Sequence, residues 1–515
     1  MSESQLEAVT VKPRLHEPPS IALWLVVGLV LLRVGYLGFA ELFPEEAYYW
    51  NYAKHLDIGY LDHPPMVAWL IHLGTSLFGN NEWGVRLFAL LSSLTAGFFA
   101  FKLTALLYNR GAAIVGLLLL QLLPFFFMTG FMITPDAPLM ACWAGMLYFL
   151  ARVFLTQSTG AWIGVGICLG FGMLSKYTIA LLGPATLLFI TLDPPSRIWW
   201  RRLAPYGAVV LAIVIFTPVI LWNAQHDWAS FNFQSVDRAA EPRRFSSHEL
   251  LASILALLTP IGLFLAGRAL IGKPVAENAD EADFEARRRL FTRVFTLVPL
   301  AVFVAFSVIH RVKLNWTGPL WLAAIPAMAA GVLVLRGTRA FRIGWLLTVI
   351  LLPLTYAGVL QYLAWGLPGI GYSSKTELLP VGWAQLGREL EFKKSELEKA
   401  VPDNVLIVGL DRNFIASEAA FYQSDQQEAV RDTTGAHLFG GKSLMYEFWF
   451  PPKKQDGAVL LLVSFNKDDL NRRSIRERSG RLGPIEEIKL ERGGKSIRPA
   501  YTRVAYKYLS GKTKK

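Results

Sequence analysis

Two acidic residues, Glu45 and Glu46, open the stretch PEEAYYWNYAK directly after the first long apolar run of the chain. A carboxylate in such a place can take a proton from a hydroxyl that comes within hydrogen-bond reach. The residues that follow, Tyr48, Tyr49, Trp50 and Tyr52, offer an aromatic wall able to stack on sugar rings or to sit at the level of lipid headgroups. The plainer role is a helix start, where acids are favoured by the helix dipole. Asp62-His63-Pro64-Pro65 combines an acid and an imidazole with two prolines that fix the backbone and remove two donors. It reads as a turn into a helix beginning near Met66, and equally as a place for an anionic ligand or a divalent metal.

Other charged residues stand where apolar sequence surrounds them. TPDAPL sets Asp136 at the end of an apolar run, with Thr134 in position to cap the helix. Acids near membrane depth usually mark function. LSKYT sets Lys176 between two apolar stretches, where a lysine either snorkels or meets a phosphate. HRVKLNW brings His310, Arg311, Lys313 and Trp316 together. WNAQHDW brings His226, Asp227 and Trp228, followed by Arg238, Arg243 and Arg244. Carboxylates, an aromatic wall and several cations meet the needs of group transfer from an anionic lipid. The carboxylate takes the proton of an acceptor hydroxyl, and the cations stabilise charge on a departing phosphate. The chain has no Walker motif, Gly-rich dinucleotide loop or HExxH pair, which argues against ATP use and a zincin site.

The elements that must position these residues are membrane helices. Of 515 residues, 53% are hydrophobic and 17% charged, against about a quarter charged in soluble domains. Apolar runs of about 20 residues recur from Ile21 to Leu363, enough to cross a core of ~30 Å. The first run lacks a small-residue cleavage site and reads as a retained helix rather than a signal peptide. Spans are expected near 21–43, 84–107, 111–129, 135–155, 160–174, 177–192, 204–222, 249–267, 294–309, 316–335 and 343–363, about eleven in all. The net charge of +12 sits mostly in short loops between spans, the signature of cytoplasmic loops rather than of nucleic-acid binding. Cys142 and Cys168 lie inside apolar segments and offer no disulfide framework or zinc cluster.

With the N-terminus inside, residues 1–20 form a cytoplasmic tail and 21–363 the membrane domain. Its first outer loop, 44–83, carries interfacial helices, because Met66, Val67, Leu70, Leu73 and Leu77 recur at near-helical spacing. A single long helix over 160–192 would reverse the sidedness of everything downstream. Two helices broken at Ser175-Lys176 keep the inside loops basic and spare a buried lysine. Residues 364–515 change composition: VGWAQLGRELEFKKSELEKAV reads as an amphipathic helix, and NVLIVGL and GAVLLLVSF as buried strands. A small α/β domain outside the cytoplasm is expected.

EEAYYW, DHPPMVAWL, TPDAPL, LSKYT and RVKLNW, in this order over roughly residues 20–330, together resemble the GT-C superfamily of polyprenyl-phosphate-sugar-dependent glycosyltransferases. These are the bacterial relatives of dolichyl-phosphate-mannose protein mannosyltransferases and of ArnT-type lipid A aminoarabinose transferases. The resemblance implies a multi-pass enzyme of the bacterial inner membrane, working with inversion on the periplasmic face. Its partners would be an undecaprenyl-phosphate-linked sugar and a lipid A, glycan or protein acceptor, within membrane lipid and without nucleic acid. Glu45 stands where the family carries the aspartate of an Asp-Glu pair, so the resemblance implies catalytic work for Glu45, Glu46 and Asp136. It implies donor-phosphate binding by His63, Lys176, Arg311 and Lys313, with substrate contacts from Tyr48, Tyr49, Asp62, His226 and Trp316. Histidine replaces the lysine that ArnT-like enzymes carry after the acid of this step, which puts more weight on Lys176, Arg311 and Lys313. No cofactor is expected with certainty, although a divalent metal near Asp62 and His63 would suit those side chains. A ligase moving a whole glycan from a lipid diphosphate would share this topology. A flippase or transporter would more typically show inverted repeats, which this chain lacks.

Overall fold

The computed structural model describes residues 20–240, 242–272, 279–366, 372, 379–492 and 495–511. The expected tail before Ser20 and most of the stretch just beyond 364 lie outside the described residues. The chain divides into two compact units. The described residues of Met1–Gly35, His63–Met66 and Phe88–Thr355 form one, and those of Tyr36–Asp62, Val67–Leu87 and Tyr356–Lys515 form the other. Most of the first outer loop thus belongs with the C-terminal segment.

Among the described residues, six helices are long and apolar enough to cross a membrane: Glu82–Leu107, Asp136–Thr156, Ala204–Gln225, Ser247–Ile271, Ala282–Ile309 and Arg339–Trp365. A helix pair over Tyr177–Leu192 and Pro194–Arg201, bent by 115°, passes the same test. The other expected spans are occupied by shorter apolar helices: Ile21–Tyr36, Arg110–Leu122, Ala161–Ser175 and Ile325–Leu335. Local chemistry shortens them. Pro124 ends the 110–122 helix at an extended Leu123 and starts a new turn, Pro124–Thr129. Met66–Phe78, at 13 residues, rises about 20 Å and cannot span. Its exposed Leu73, Leu77 and Phe78 suit a helix lying along an interface.

In the first unit, the helices pack around a core that includes Leu139, Trp143, Leu147, Phe189, Phe295 and Ile325. Ala161–Ser175 lies tightly against Ala204–Gln225. A Cβ on Gly166 would stand 2.7 Å from the Ala208 carbonyl, and one on Gly170 would stand 2.7 Å from Ile215 Cβ. Small residues of this kind let membrane helices approach closely. The backbone then breaks at Lys176, which is extended (φ −162°, ψ 133°), so 160–192 is two helical pieces. Outward-facing positions remain apolar. Val209, Val210, Ile213 and Val214 are exposed on one helix, and Leu346, Leu347, Ile350 and Leu354 on another, as lipid contact requires.

The second unit is built on a five-stranded sheet of order β2-β1-β3-β5-β4. Its strands are β1 Val405–Gly409, β2 Thr433–Gly435, β3 Val459–Ser464, β4 Ser479–Arg492 and β5 Lys495–Tyr508. β1 runs parallel to β2 and β3, while β5 runs antiparallel to β3 and β4. β1 and β3 are buried at every position, which explains their unbroken apolar runs. Trp383, Leu386 and Leu390 of the Trp383–Ala400 helix pack with Ile407 and Leu461 of the sheet. Leu438, Leu470 and Ile475 join a second cluster with Leu406, Leu460 and Tyr508. The long β4–β5 hairpin was not expected from the sequence, because its charged outward residues hide the period-two pattern.

The first-loop helix Pro44–Lys54 packs on the Phe414–Phe421 helix of this unit. Trp50 meets Phe421 edge-on at 5.0 Å between ring centroids, and Asn51 Nδ2 donates to the Ser417 carbonyl at 3.3 Å. The Tyr422 hydroxyl accepts from Leu42 N at 2.7 Å and donates to Glu82 at 3.0 Å. Glu418 is fully buried here, and neither of its oxygens has a hydrogen-bond partner among the described residues. Burial first, and then Glu41 and Glu46, push its carboxyl well above the usual range, against the opposing pull of Arg498 and Arg86. A raised carboxyl keeps its proton in the folded state, so it weakens folding as pH rises above the unfolded value of about 4.3. The variant Glu418→Gln, neutral at every pH, should be more stable than the parent at about pH 8 and show a flatter stability profile. Thermal unfolding of the purified full chain between about pH 5 and about pH 9 checks this.

Candidate functional site

In the second unit, the acidic pair at the start of the Pro44–Lys54 helix is split by the helical turn. Successive residues point about 100° apart. Glu46 turns inward and is fully buried, whereas Glu45 is exposed. Glu46 Oε2 accepts from the Phe43 backbone N–H at 3.0 Å, tying down one of the free donors at the helix start. It also meets Arg86, itself fully buried, through Nη2 at 2.6 Å and Nε at 3.0 Å. The remaining Arg86 donors reach the carbonyls of Leu37 at 2.8 Å, Ala40 at 2.7 Å and Glu41 at 2.7 Å. All five guanidinium N–H groups are used.

The aromatic residues after the pair are interior rather than an open wall. Tyr48, Tyr49, Trp50 and Tyr52 are all buried. The Tyr48 hydroxyl donates to Asp62 Oδ1 at 3.0 Å and accepts from Met445 N at 3.2 Å, and the Tyr52 hydroxyl also donates to Asp62. Tyr49 packs at 5.6 Å from both Tyr48 and Tyr52. Burial raises the Asp62 carboxyl and the two tyrosine hydrogen bonds pull it back. Asp62 therefore serves as the acceptor that organises the tyrosines.

In the first unit, the break after Ser175 aims Lys176 at the start of the Asp136–Thr156 helix. Lys176 Nζ donates to Asp136 Oδ1 at 2.8 Å, and Asn315 Nδ2 donates to Oδ2 at 2.6 Å. The aspartate is buried and the lysine nearly so. No side chain caps this helix, so Thr134 does not have the expected capping role. Burial pushes the His63 imidazole well below its usual range, helped by the positive charges of Lys176, Lys313 and Arg238. His63 thus offers a neutral hydrogen-bonding ring amid cations. Of the cations expected to act with His63, Lys176 and Lys313 contribute to that shift, while Arg311 pairs elsewhere. Its Nε lies 3.4 Å from Glu249, beside Arg244 at 2.5 Å from the same carboxylate, with the Arg311 side chain largely exposed. Arg238 supplies the third charge and lies 5.4 Å above the Trp316 ring. Trp316 packs in turn on Phe303 and Phe306. His226 stacks on Trp222 at 4.1 Å and sits 2.8 Å from its carbonyl, the arrangement of a structural histidine.

A group of three cations suits an anion, and it does not suit a divalent metal at His63. At Asp62, Oδ1 accepts both tyrosine hydroxyls. Among the described residues, Glu398, Glu428 and Asp432 come close enough to share a cation, but the Lys394 ammonium fills that position at 2.6–2.9 Å. Sequence reasoning missed Arg86, Asn315 and the proximity of Arg238 to His63. Arg86 did carry a signal, a lone arginine within an apolar helix run. Asn315 carried none.

The family described as Dolichyl-phosphate-mannose-protein mannosyltransferase matches residues 62–222. Lipid A galacturonosyltransferase RgtD of Rhizobium johnstonii is 30% identical over 225 residues, 41% of this chain and 44% of that protein. The match thus spans less than half of that relative's length. Lipopolysaccharide core galacturonosyltransferase RgtA of the same organism is 26% identical over 72% of this chain and 74% of its own length. ArnT from Cupriavidus metallidurans bound to undecaprenyl phosphate superposes with a TM-score of 0.61 over 93% of this chain and 97% of that one. At 16% identity, this is a likeness of fold.

The two halves of the acidic pair should separate in a stability measurement. Glu46→Gln leaves Arg86 buried without its counter-charge, a change that costs about 3–5 kcal/mol. Glu45→Gln, on an exposed position, should stay within about 0.5 kcal/mol. Thermal unfolding of the detergent-purified variants reads the difference, and equal midpoints would remove the structural role of Glu46.

Proposed function

We propose that this chain, similar over part of its length to polyprenyl-phosphate-sugar transferases and ArnT-like in fold, is a GT-C integral-membrane glycosyltransferase that moves one sugar from a polyprenyl monophosphate to an acceptor hydroxyl. The carrier is undecaprenyl phosphate, which ArnT binds in one of its solved structures. The acceptor is lipid A or a core sugar of lipopolysaccharide, the molecules named for RgtD and RgtA. The reaction takes place on the periplasmic face.

The observation that carries this reading is Lys176, held on Asp136 at 2.8 Å, whose charge acts with those of Lys313 and Arg238 on the buried His63 imidazole. Those side chains can hold the phosphate as the bond from its oxygen to the anomeric carbon breaks, offsetting the charge that develops there. His63 adds a hydrogen bond to a phosphate oxygen. Asp136 acts through Lys176 as a positioning residue, holding the ammonium at 2.8 Å, while Asn315 fixes the other carboxylate oxygen.

Glu45 is the general base. It takes the proton of the acceptor hydroxyl, the hydroxyl oxygen bonds to the anomeric carbon from the face opposite the phosphate, and polyprenyl monophosphate leaves. The configuration inverts. Exposure favours Glu45 for this work, since Glu46 is committed to Arg86.

Comparison of envelope lipids from a deletion strain and its parent by mass spectrometry tests the reading, through loss of one sugar from one lipid. Glu45→Gln should lose most transfer, on the order of 100-fold or more, while still binding labelled undecaprenyl phosphate. Near-normal transfer would remove Glu45 from the chemistry. Lys176→Ala should weaken donor use about 10- to 100-fold in kcat/KM, as expected for a lost charge-assisted phosphate contact. Unchanged donor dependence would mean that this lysine only holds Asp136.

A further inference from the structure

Ser246 stands immediately before the helix Ser247–Ile271, where a serine hydroxyl ordinarily accepts a hydrogen bond from the first turn of its own helix. Here it makes no such bond. Ser246 is fully buried, and its hydroxyl donates to the His310 carbonyl at 2.7 Å and accepts from Val312 N at 3.2 Å. The cap is turned across to another segment. The backbone alongside follows the same course. Arg244 N donates to the Ile309 carbonyl at 2.7 Å, and Ser246 N donates to the Ser307 carbonyl at 2.8 Å. The hydroxyls of Ser247 and Ser307 meet at 2.9 Å, and Arg244 and Arg311 both pair with Glu249. Residues 244–249 thus fasten the segment 307–312.

What the fastened segment carries is Asn315, three positions beyond the buried Val312. Asn315 Nδ2 donates to Asp136 Oδ2 at 2.6 Å, and Oδ1 of the same carboxylate accepts from Lys176 Nζ at 2.8 Å. A turn makes the connection, with Trp316 N donating to the Lys313 carbonyl and Gly318 N to the Asn315 carbonyl, each at 3.2 Å. So short a link has little slack, and a shift at Val312 moves Asn315. The terminal torsion of an aspartate is broad, so a carboxylate held at one oxygen alone can turn. Held at both, it fixes the direction of the ammonium. We infer that Ser246 is a positioning residue for the donor phosphate. Its hydroxyl sets where Asn315 stands, and Asn315 and Asp136 then aim Lys176. This rests on the reading of Lys176 as a phosphate ligand and adds the part of the fold that orients it.

The test measures binding of labelled undecaprenyl phosphate to the detergent-purified full chain in a double-mutant cycle of Ser246→Ala and Asn315→Ala. Ser246→Ala should weaken binding about 2- to 10-fold, the range of one lost neutral hydrogen bond, and Asn315→Ala at least as much. The double variant should bind as Asn315→Ala alone does, because the serine acts through the asparagine. Ser246→Thr keeps the hydroxyl and should bind within about 2-fold of the parent. Losses that multiply in the double variant separate Ser246 from Asn315 and overturn the inference. So does a Ser246→Ala variant that unfolds at lower temperature yet binds as the parent does, or a threonine variant as weak as the alanine one. Should Ser246→Ala fail to fold, Ser246→Gly removes the same hydroxyl at a helix start that tolerates glycine, and it completes the cycle. Any of these overturning results with a parent that binds leaves the glycosyltransferase standing. A parent that binds no undecaprenyl phosphate sinks both.

Discussion

The buried pair of Arg86 and Glu46 organises the start of the second unit. Arg86 comes from the helix that begins at Glu82, and its guanidinium gathers the carbonyls of Leu37, Ala40 and Glu41 together with both oxygens of Glu46. A guanidinium without solvent must find acceptors for all its donors, and here the chain between the first apolar helix and the first-loop helix is folded around it. The constraint determines where the Pro44–Lys54 helix begins and which side of it faces inward. That in turn buries Tyr48, Tyr49, Trp50 and Tyr52 and leaves Glu45 exposed. A buried ion pair of this kind adds less net stability than its geometry suggests, because both charges must be desolvated.

A different electrostatic logic governs the first unit. Asp136, Lys176 and Asn315 form a fully bonded set in which an aspartate positions a lysine. Burial, and then the charges of Lys176, Lys313 and Arg238, push the His63 imidazole well below its usual range. The lysine can be placed so exactly where it is because the backbone is extended at Lys176, between helices packed through glycines at Gly166 and Gly170. A continuous helix would have carried Lys176 into the apolar packing instead.

Much of this architecture was legible in the sequence. Apolar runs marked each place where an apolar helix stands, since burial in lipid or in a helical core imposes the same requirement on composition. The amphipathic helix at Trp383–Ala400 and the strands β1 and β3 could be read from local pattern, and the break at Ser175-Lys176 from the charge pattern of the loops that follow. Helix lengths could not, because prolines such as Pro124 shorten spans by turns that hydropathy does not register. The β4–β5 hairpin also escaped, its alternation masked by charged residues on the solvent face.

For the candidate site, the residue types were evident and their partners were not. The sequence by itself indicated that carboxylates, aromatics and cations flank membrane helices, and it favoured a break at Lys176 over a single span through it. Only the tertiary structure decided that Glu46 belongs to Arg86, forty positions away. It also decided that Asp62 belongs to two tyrosines, and that Arg311 lies beside Glu249. The physical reason is the range of the interactions. Hydropathy and helix breaking act between neighbours in sequence, whereas a buried charge is satisfied by whichever group the folded chain brings within a few ångströms.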